Sequence, residues 1–177
     1  MCGIAGILGF RLGRLNSNIV SMARMLAHRG PGDGGIWVDN EAGVSLAHRR
    51  LSVLDLSAAG HQPMISPSQR FVISYNGEIY NHLELRGELE ADERVPAWRG
   101  HSDTETLLAG IDAWGLEKTL EKCVGMFAFA LWDRRERSLI LVRDRIGEKP
   151  LYYGWIKDTL VFGSELKAIR AYPGFDA

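Results

Sequence analysis

Residues 126–132 and 139–142 are two apolar runs of strand length, and the polar segment 133–138 between them reads as a turn, so the chain carries a β-hairpin. A second pair, 151–155 and 160–162, repeats the pattern. Hairpins commit neighbouring strands to antiparallel pairing. Earlier strands fit residues 4–9, 35–39, 44–49 and 71–75. Helices are expected from Asn16 or Ser17 as the cap, with Ile19, Met22, Ala23 and Leu26 at helical spacing, and over 82–89. Another begins at Ser102, where Ser-Asp-Thr-Glu forms a capping box in which Ser102 and Glu105 each satisfy a free backbone N–H, and Leu107, Leu108 and Ile111 supply its buried stripe. A last helix covers 165–170, and 91–101, with Pro96 inside it, reads as an exposed loop. Hairpin-joined strands with grouped helices make an α+β domain of antiparallel sheets.

A length of 177 residues suits one domain with a substantial core. The 21 basic and 22 acidic side chains leave no one-sign field to draw in nucleic acid or anionic lipid. Arg134, Arg135 and Arg137 read as a solvated hairpin tip. Two cysteines, Cys2 and Cys123, are too few for a secreted disulfide framework and favour a reducing compartment, with Cys123 a packed core residue. The opening run MCGIAGILGF is too short for a membrane span and lacks the flanks of a signal peptide, so a cytoplasmic protein with no membrane partner is expected.

Gly30, Gly32 and Gly35 satisfy G-x-G-x-x-G, but a helix precedes them and a strand follows, the reverse of what a dinucleotide site needs. A turn bringing backbone close to a neighbour is the better reading. The histidines His28, His48, His61, His82 and His101 have no zinc-site spacing, and neither a P-loop nor a G-x-S-x-G elbow occurs. No metal and no cofactor are expected for this domain.

Cys2 is a candidate nucleophile because of its position. Once Met1 is removed, Cys2 carries its own α-amine, with a reference pKa of about 8, able to act as base for its thiol. Attack on an amide then needs oxyanion donors. Asn76-Gly77 offers a side-chain amide followed by an unhindered backbone N–H, although after strand 71–75 the same pair reads equally as a turn. For an amino-acid head group, Arg50 can pair with a carboxylate in a bidentate fork, and Asp103 or Glu78 can meet an ammonium. Singly, Arg50 reads as well as a strand-edge charge, and Asp103 as a first-turn carboxylate favoured by the helix dipole.

Taken together, MCGIAGILGF, HRGPGDGG at 28–35, LAHRRLSVLD at 46–55, YNGEIYNH at 75–82, HSDTE at 101–105, GMFAFALWD at 125–133, RDRIGEKPLYYG at 143–154 and FGSELKAI at 162–169 resemble the glutaminase half of asparagine synthetases, in the class II glutamine amidotransferases. The resemblance implies an N-terminal-nucleophile hydrolase fold, a four-layer αββα sandwich of two antiparallel sheets. It implies glutamine as substrate, Cys2 as nucleophile with its α-amine as base, and Asn76 with the Gly77 N–H as oxyanion hole. Arg50 would bind the carboxylate, Val53 and Leu54 would line the site by backbone contacts, and Asp103 would bind the amine beside Gly77 and Glu78. The family's H-R-G-P-D appears here as His28-Arg29-Gly30-Pro31-Gly32-Asp33, with the acid displaced by one position. No S-G-G-x-D-S motif occurs before the chain ends at Ala177. The 177 residues therefore read as the N-terminal fragment of a longer protein, whose synthetase domain would use ATP and Mg²⁺ and be the partner in the same chain. A homodimer is left open.

Overall fold

The computed structural model describes residues 1–9, 14–51, 58–91 and 97–175. Strands β1 (Gly3–Leu8), β2 (Asp33–Asp39), β3 (Val44–Arg50), β8 (Tyr152–Ile156) and β9 (Thr159–Gly163) form one sheet in the order β2-β3-β1-β9-β8. The second sheet orders β4 (Met64–Ile65), β5 (Phe71–Ile79), β6 (Gly125–Asp133) and β7 (Ser138–Arg143) as β4-β5-β6-β7. Every pairing is antiparallel. Helices α1 (Leu15–Arg24) and α5 (Leu166–Arg170) cover the outer face of the first sheet. Helices α2 (His82–Ala91), α3 (Asp103–Trp114) and α4 (Leu116–Lys122) cover the second.

The period-2 alternation of the strands builds these layers. On β6, Phe127, Phe129 and Leu131 pack toward the α3 side with Leu107, Leu108 and Ile111. Ala130 and Trp132, on the opposite face, pack between the sheets with Leu46 and Phe162. On β1, Ala5 and Ile7 meet Ile19 and Met22 of α1. A one-residue slip of β6 would force Phe127 and Phe129 into the inter-sheet layer where alanines sit and leave alanines on the α3 side, so overpacking on one face and cavities on the other specify the register. Three apolar interfaces thus separate four layers, the αββα sandwich.

Several boundaries depart from sequence expectation. Helix α1 starts at Leu15, and its N-cap is Arg14 without a side-chain cap bond, rather than Asn16 or Ser17. Leu15 is 5% exposed and shares the core of Ile19 and Met22, so burying it extends the helix past the polar residues. The Ser17 hydroxyl instead donates to Arg14 O at 3.1 Å. At α3, Ser102 Oγ accepts from the Glu105 N–H at 3.2 Å, and the Glu105 carboxylate accepts from the N–H groups of Arg99 and Gly100. Helix α4, absent from the sequence reading, follows α3 after a break at Gly115. The glycine-rich turn does bring backbone close: a Cβ on Gly30 would sit 2.4 Å from the Arg49 carbonyl carbon. Among the described residues no helix is long and apolar enough to cross a membrane.

Candidate active site

The site forms where the β4–β5 ladder stops. Strand β4 pairs only with Ile73 and Val72 of β5. In antiparallel strands a residue's N–H and C=O point to the same side, alternating along the chain. The Phe71 N–H donates to Ser66 Oγ, and its carbonyl accepts from the Ser66 N–H, so odd-numbered β5 residues face the β4 side. Beyond β4, side chains replace the missing strand. The Tyr75 N–H donates to Gln62 Oε1 at 2.7 Å, His48 Nε2 donates to Tyr75 O at 2.9 Å, and the Ile79 N–H donates to Asp103 Oδ2 at 2.9 Å. Gly77 lies between Tyr75 and Ile79, so its N–H points the same way, onto a cleft of about 230 Å³.

Cys2, Arg50, Asn76, Gly77, Glu78 and Asp103 all line this cleft. Val53 and Leu54 lie outside the described residues. Asn76 and Gly77 do not form a turn. They lie inside β5, opposite Ala128 and Phe127 of β6. Glycine is required at 77 by close approach, since a Cβ there would sit 2.5 Å from Met126 O. Asn76 is 2% exposed, and its Nδ2 has no hydrogen-bond partner among the described residues. A buried donor left unpaired costs about 1–3 kcal/mol, and of the residues with such a buried polar atom among those described, only Asn76 and His48 line the cleft.

Cys2 immediately precedes β1. The Leu51 N–H donates to its Sγ at 3.4 Å, and the thiol lies 3.7 Å from Leu51 O. Arg29 Nε donates to the Cys2 carbonyl at 2.8 Å. Lys149, 6% exposed, also lines the cleft, with its Nζ 3.7 Å from Met1 Sδ. Burial pushes the Cys123 thiol up to about 11, far from the cleft chemistry and within the α3-side core.

Arg50 is 8% exposed and lies 3.9 Å from Asp33 Oδ2, its cross-strand partner on β2. The displaced acid of the HRGPGDGG segment thus stands beside the arginine. A hydrogen bond with His61, at 3.0 Å, is the main influence holding the Asp33 carboxyl below the usual range. Asp103 Oδ2 accepts from the Tyr75 hydroxyl at 2.7 Å, while Oδ1 accepts from the Thr104 N–H at 2.8 Å. Burial, reinforced by Asp103, raises the Tyr75 phenol well above its ordinary value, so it stays a donor. Burial also pushes His48 down to about 4, keeping its imidazole neutral at neutral pH. The sequence reading missed Arg29, Gln62, His48, Tyr75 and Leu51. Four of these sit in the motifs HRGPGDGG, LAHRRLSVLD and YNGEIYNH, whereas nothing local marks Gln62.

A thiol, a buried amide donor, a strand-edge N–H and paired charges in one cleft suit acyl transfer from a small zwitterion. Among the described residues, no group of three or more His, Cys, Asp or Glu side chains is placed to hold a metal ion. Residues 1–177 match the family model of the glutamine amidotransferase domain. The chain belongs to that family. It is 39% identical over 186 residues to asparagine synthetase [glutamine-hydrolyzing] 3 of Bacillus subtilis, covering 100% of this chain and 28% of the relative. It is 39% identical over 172 residues to the Zea mays asparagine synthetase, covering 96% and 28%. A putative asparagine synthetase of Methanocaldococcus jannaschii is 36% identical over 187 residues, covering 97% and 35%. This amidotransferase chain therefore spans about a third or less of the length of these curated relatives. Among solved structures, the glutamine phosphoribosylpyrophosphate amidotransferase of B. subtilis superposes with TM-score 0.79 at 22% identity, covering 97% of this chain and 43% of that one. The αββα fold is shared with that amidotransferase, and the resemblance in the motifs holds at the level of family.

Proposed function

We propose that this domain hydrolyses glutamine to glutamate and ammonia through a γ-glutamyl thioester on Cys2, once Met1 has been removed. The observation that carries the reading is the buried, unpartnered Nδ2 of Asn76 in the same cleft as Cys2 Sγ. The α-amine of Cys2 takes the thiol proton, and sulfur attacks the side-chain carbonyl of glutamine. Asn76 Nδ2 and the Gly77 N–H receive the oxyanion, and the protonated amine releases its proton to the departing ammonia. Water then hydrolyses the thioester. Arg50 takes the substrate carboxylate, and Asp103, beside Gly77 and Glu78, takes its ammonium. With Lys149 also present, two cations and two carboxylates line the cleft, a balance suited to a zwitterion.

In the longer protein, the ammonia passes to an ATP- and Mg²⁺-dependent synthetase domain that amidates aspartate. The names of the relatives support that acceptor. An electrophilic glutamine analogue followed by mass spectrometry tests the hydrolytic reading. The expected result is one adduct, on Cys2 of a chain lacking Met1, with Cys123 unmodified. A correctly processed, folded protein that takes no adduct, or takes it elsewhere, overturns the proposal.

A further inference from the structure

Ser164 and Glu165, at the junction of β9 and α5, lie outside the cleft chemistry, yet Ser164 bonds to β1, the strand that follows Cys2, and Glu165 reaches the Cys2 carbonyl through Arg29. The Ser164 N–H donates to Ile4 O at 2.8 Å, and Ser164 Oγ accepts from the Ile4 N–H at 3.0 Å. The Glu165 carboxylate accepts from Arg29 NH1 at 2.9 Å, and that guanidinium donates through Nε to the Cys2 carbonyl. His28 Nε2 and Lys167 Nζ lie 3.0 and 2.9 Å from the same carboxylate. An exposed surface pair would contribute little. Here the Arg29 side chain is only 9% exposed, and a buried guanidinium needs its counter-charge.

A chain terminus frays unless something ties it down. After Met1 is removed, Cys2 has one peptide bond left, to Gly3, so the orientation of its carbonyl sets where the thiol and the α-amine can sit. Gly3 and Ile4 are held by pairing with Arg49 and His48 of β3, whereas Cys2 lies just outside that ladder and its carbonyl accepts from the Arg29 guanidinium. We infer that Glu165 is a positioning residue for the Cys2 nucleophile, acting through the Arg29 guanidinium that grips the Cys2 carbonyl. The inference rests on the reading of Cys2 as the nucleophile. Burial tends to raise the Glu165 carboxyl, but hydrogen bonds from Arg29, Lys167 and His28 outweigh it and hold the group at about 2, so the anchor stays charged at working pH.

The test is Glu165→Gln in protein lacking Met1. A nucleophile displaced by about 1 Å loses about 10²-fold in rate. A tenfold to hundredfold fall in kcat for glutamine hydrolysis is therefore expected, with KM within about twofold. In a background of Arg29→Lys, adding Glu165→Gln should lower kcat no further. Hydrogen exchange of the peptide spanning residues 2–8 should speed up about tenfold as the terminus is released. An unchanged kcat, a loss confined to KM, or full additivity with Arg29→Lys overturns the inference. If the wild-type protein hydrolyses no glutamine, the function reading fails instead, and exchange alone still decides whether Glu165 anchors the terminus.

Discussion

Replacing Asn76 with alanine separates catalytic from structural need, because the two predict opposite patterns. Asn76 Nδ2 has no partner among the described residues, so truncation breaks no hydrogen bond of that nitrogen and removes an unpaired buried donor. Relief of that donor is worth about 1–3 kcal/mol, offset by lost packing of a small side chain, so the net stability change should stay within about 1 kcal/mol. For a chain of this length that corresponds to a Tm shift of about 2–4 °C or less. On the proposed mechanism the same nitrogen faces an oxyanion in the transition state, and deleting one such donor lowers kcat about 10²–10³-fold, or about 2.7–4 kcal/mol. Glutaminase turnover and thermal unfolding, measured on the same Met1-free preparation, decide the matter. A large drop in kcat with a nearly constant Tm is expected. Unchanged kcat removes Asn76 from the oxyanion role, and a destabilisation beyond about 2 kcal/mol shows that its amide is holding the fold.

Arg50→Lys keeps the charge but loses the fork that matches a carboxylate, so KM for glutamine should rise at least about tenfold with little change in kcat. Steady-state kinetics check this, and an unaltered KM removes the contact. His48 governs a second, pH-dependent effect. Its folded value of about 4 lies below the unfolded 6.5, so neutral imidazole is the form the fold accepts. Its contribution is present above pH 6.5 and is lost as pH falls toward 4, to a total of about 3 kcal/mol. Urea unfolding between pH 7 and 4 should show that slope, and His48→Gln, which keeps an N–H donor for Tyr75 O, should flatten it. A wild-type slope unchanged in the variant would assign the acid sensitivity to other groups.

The fold was legible because its signals are local. The alternation in GMFAFALWD and the turn after it specify a hairpin wherever they occur, and Ser102 with Glu105 caps a helix without help from distant residues. Errors fell where tertiary packing outweighs local preference. Asn76-Gly77 has the composition of a turn, yet β6 runs close enough alongside to hold it in a strand, and only glycine tolerates Met126 O at that distance. Leu15 joined α1 because the core beneath it was already apolar. In the site, residues with distinctive chemistry could be named from sequence. Gln62, 13 positions before the Tyr75 N–H that it accepts from, could not.

That blind spot has a physical origin. A completed sheet satisfies each backbone N–H with another strand and leaves nothing for a substrate. Here β4 ends after two residues, and the rest of the β5 edge is closed by Gln62, His48 and Asp103 rather than by backbone. Side chains can be placed singly, so the edge can be filled at Tyr75 and Ile79 and left open onto the cleft at Gly77, which a pairing strand could not do. The same substitution would join the proposed substrate binding to sheet integrity, because Asp103 holds Ile79 through one oxygen and lines the cleft beside it. On the proposed mechanism, the donors for the oxyanion are thus preorganised by the fold itself, and their cost is carried by the sandwich core rather than recovered when substrate arrives.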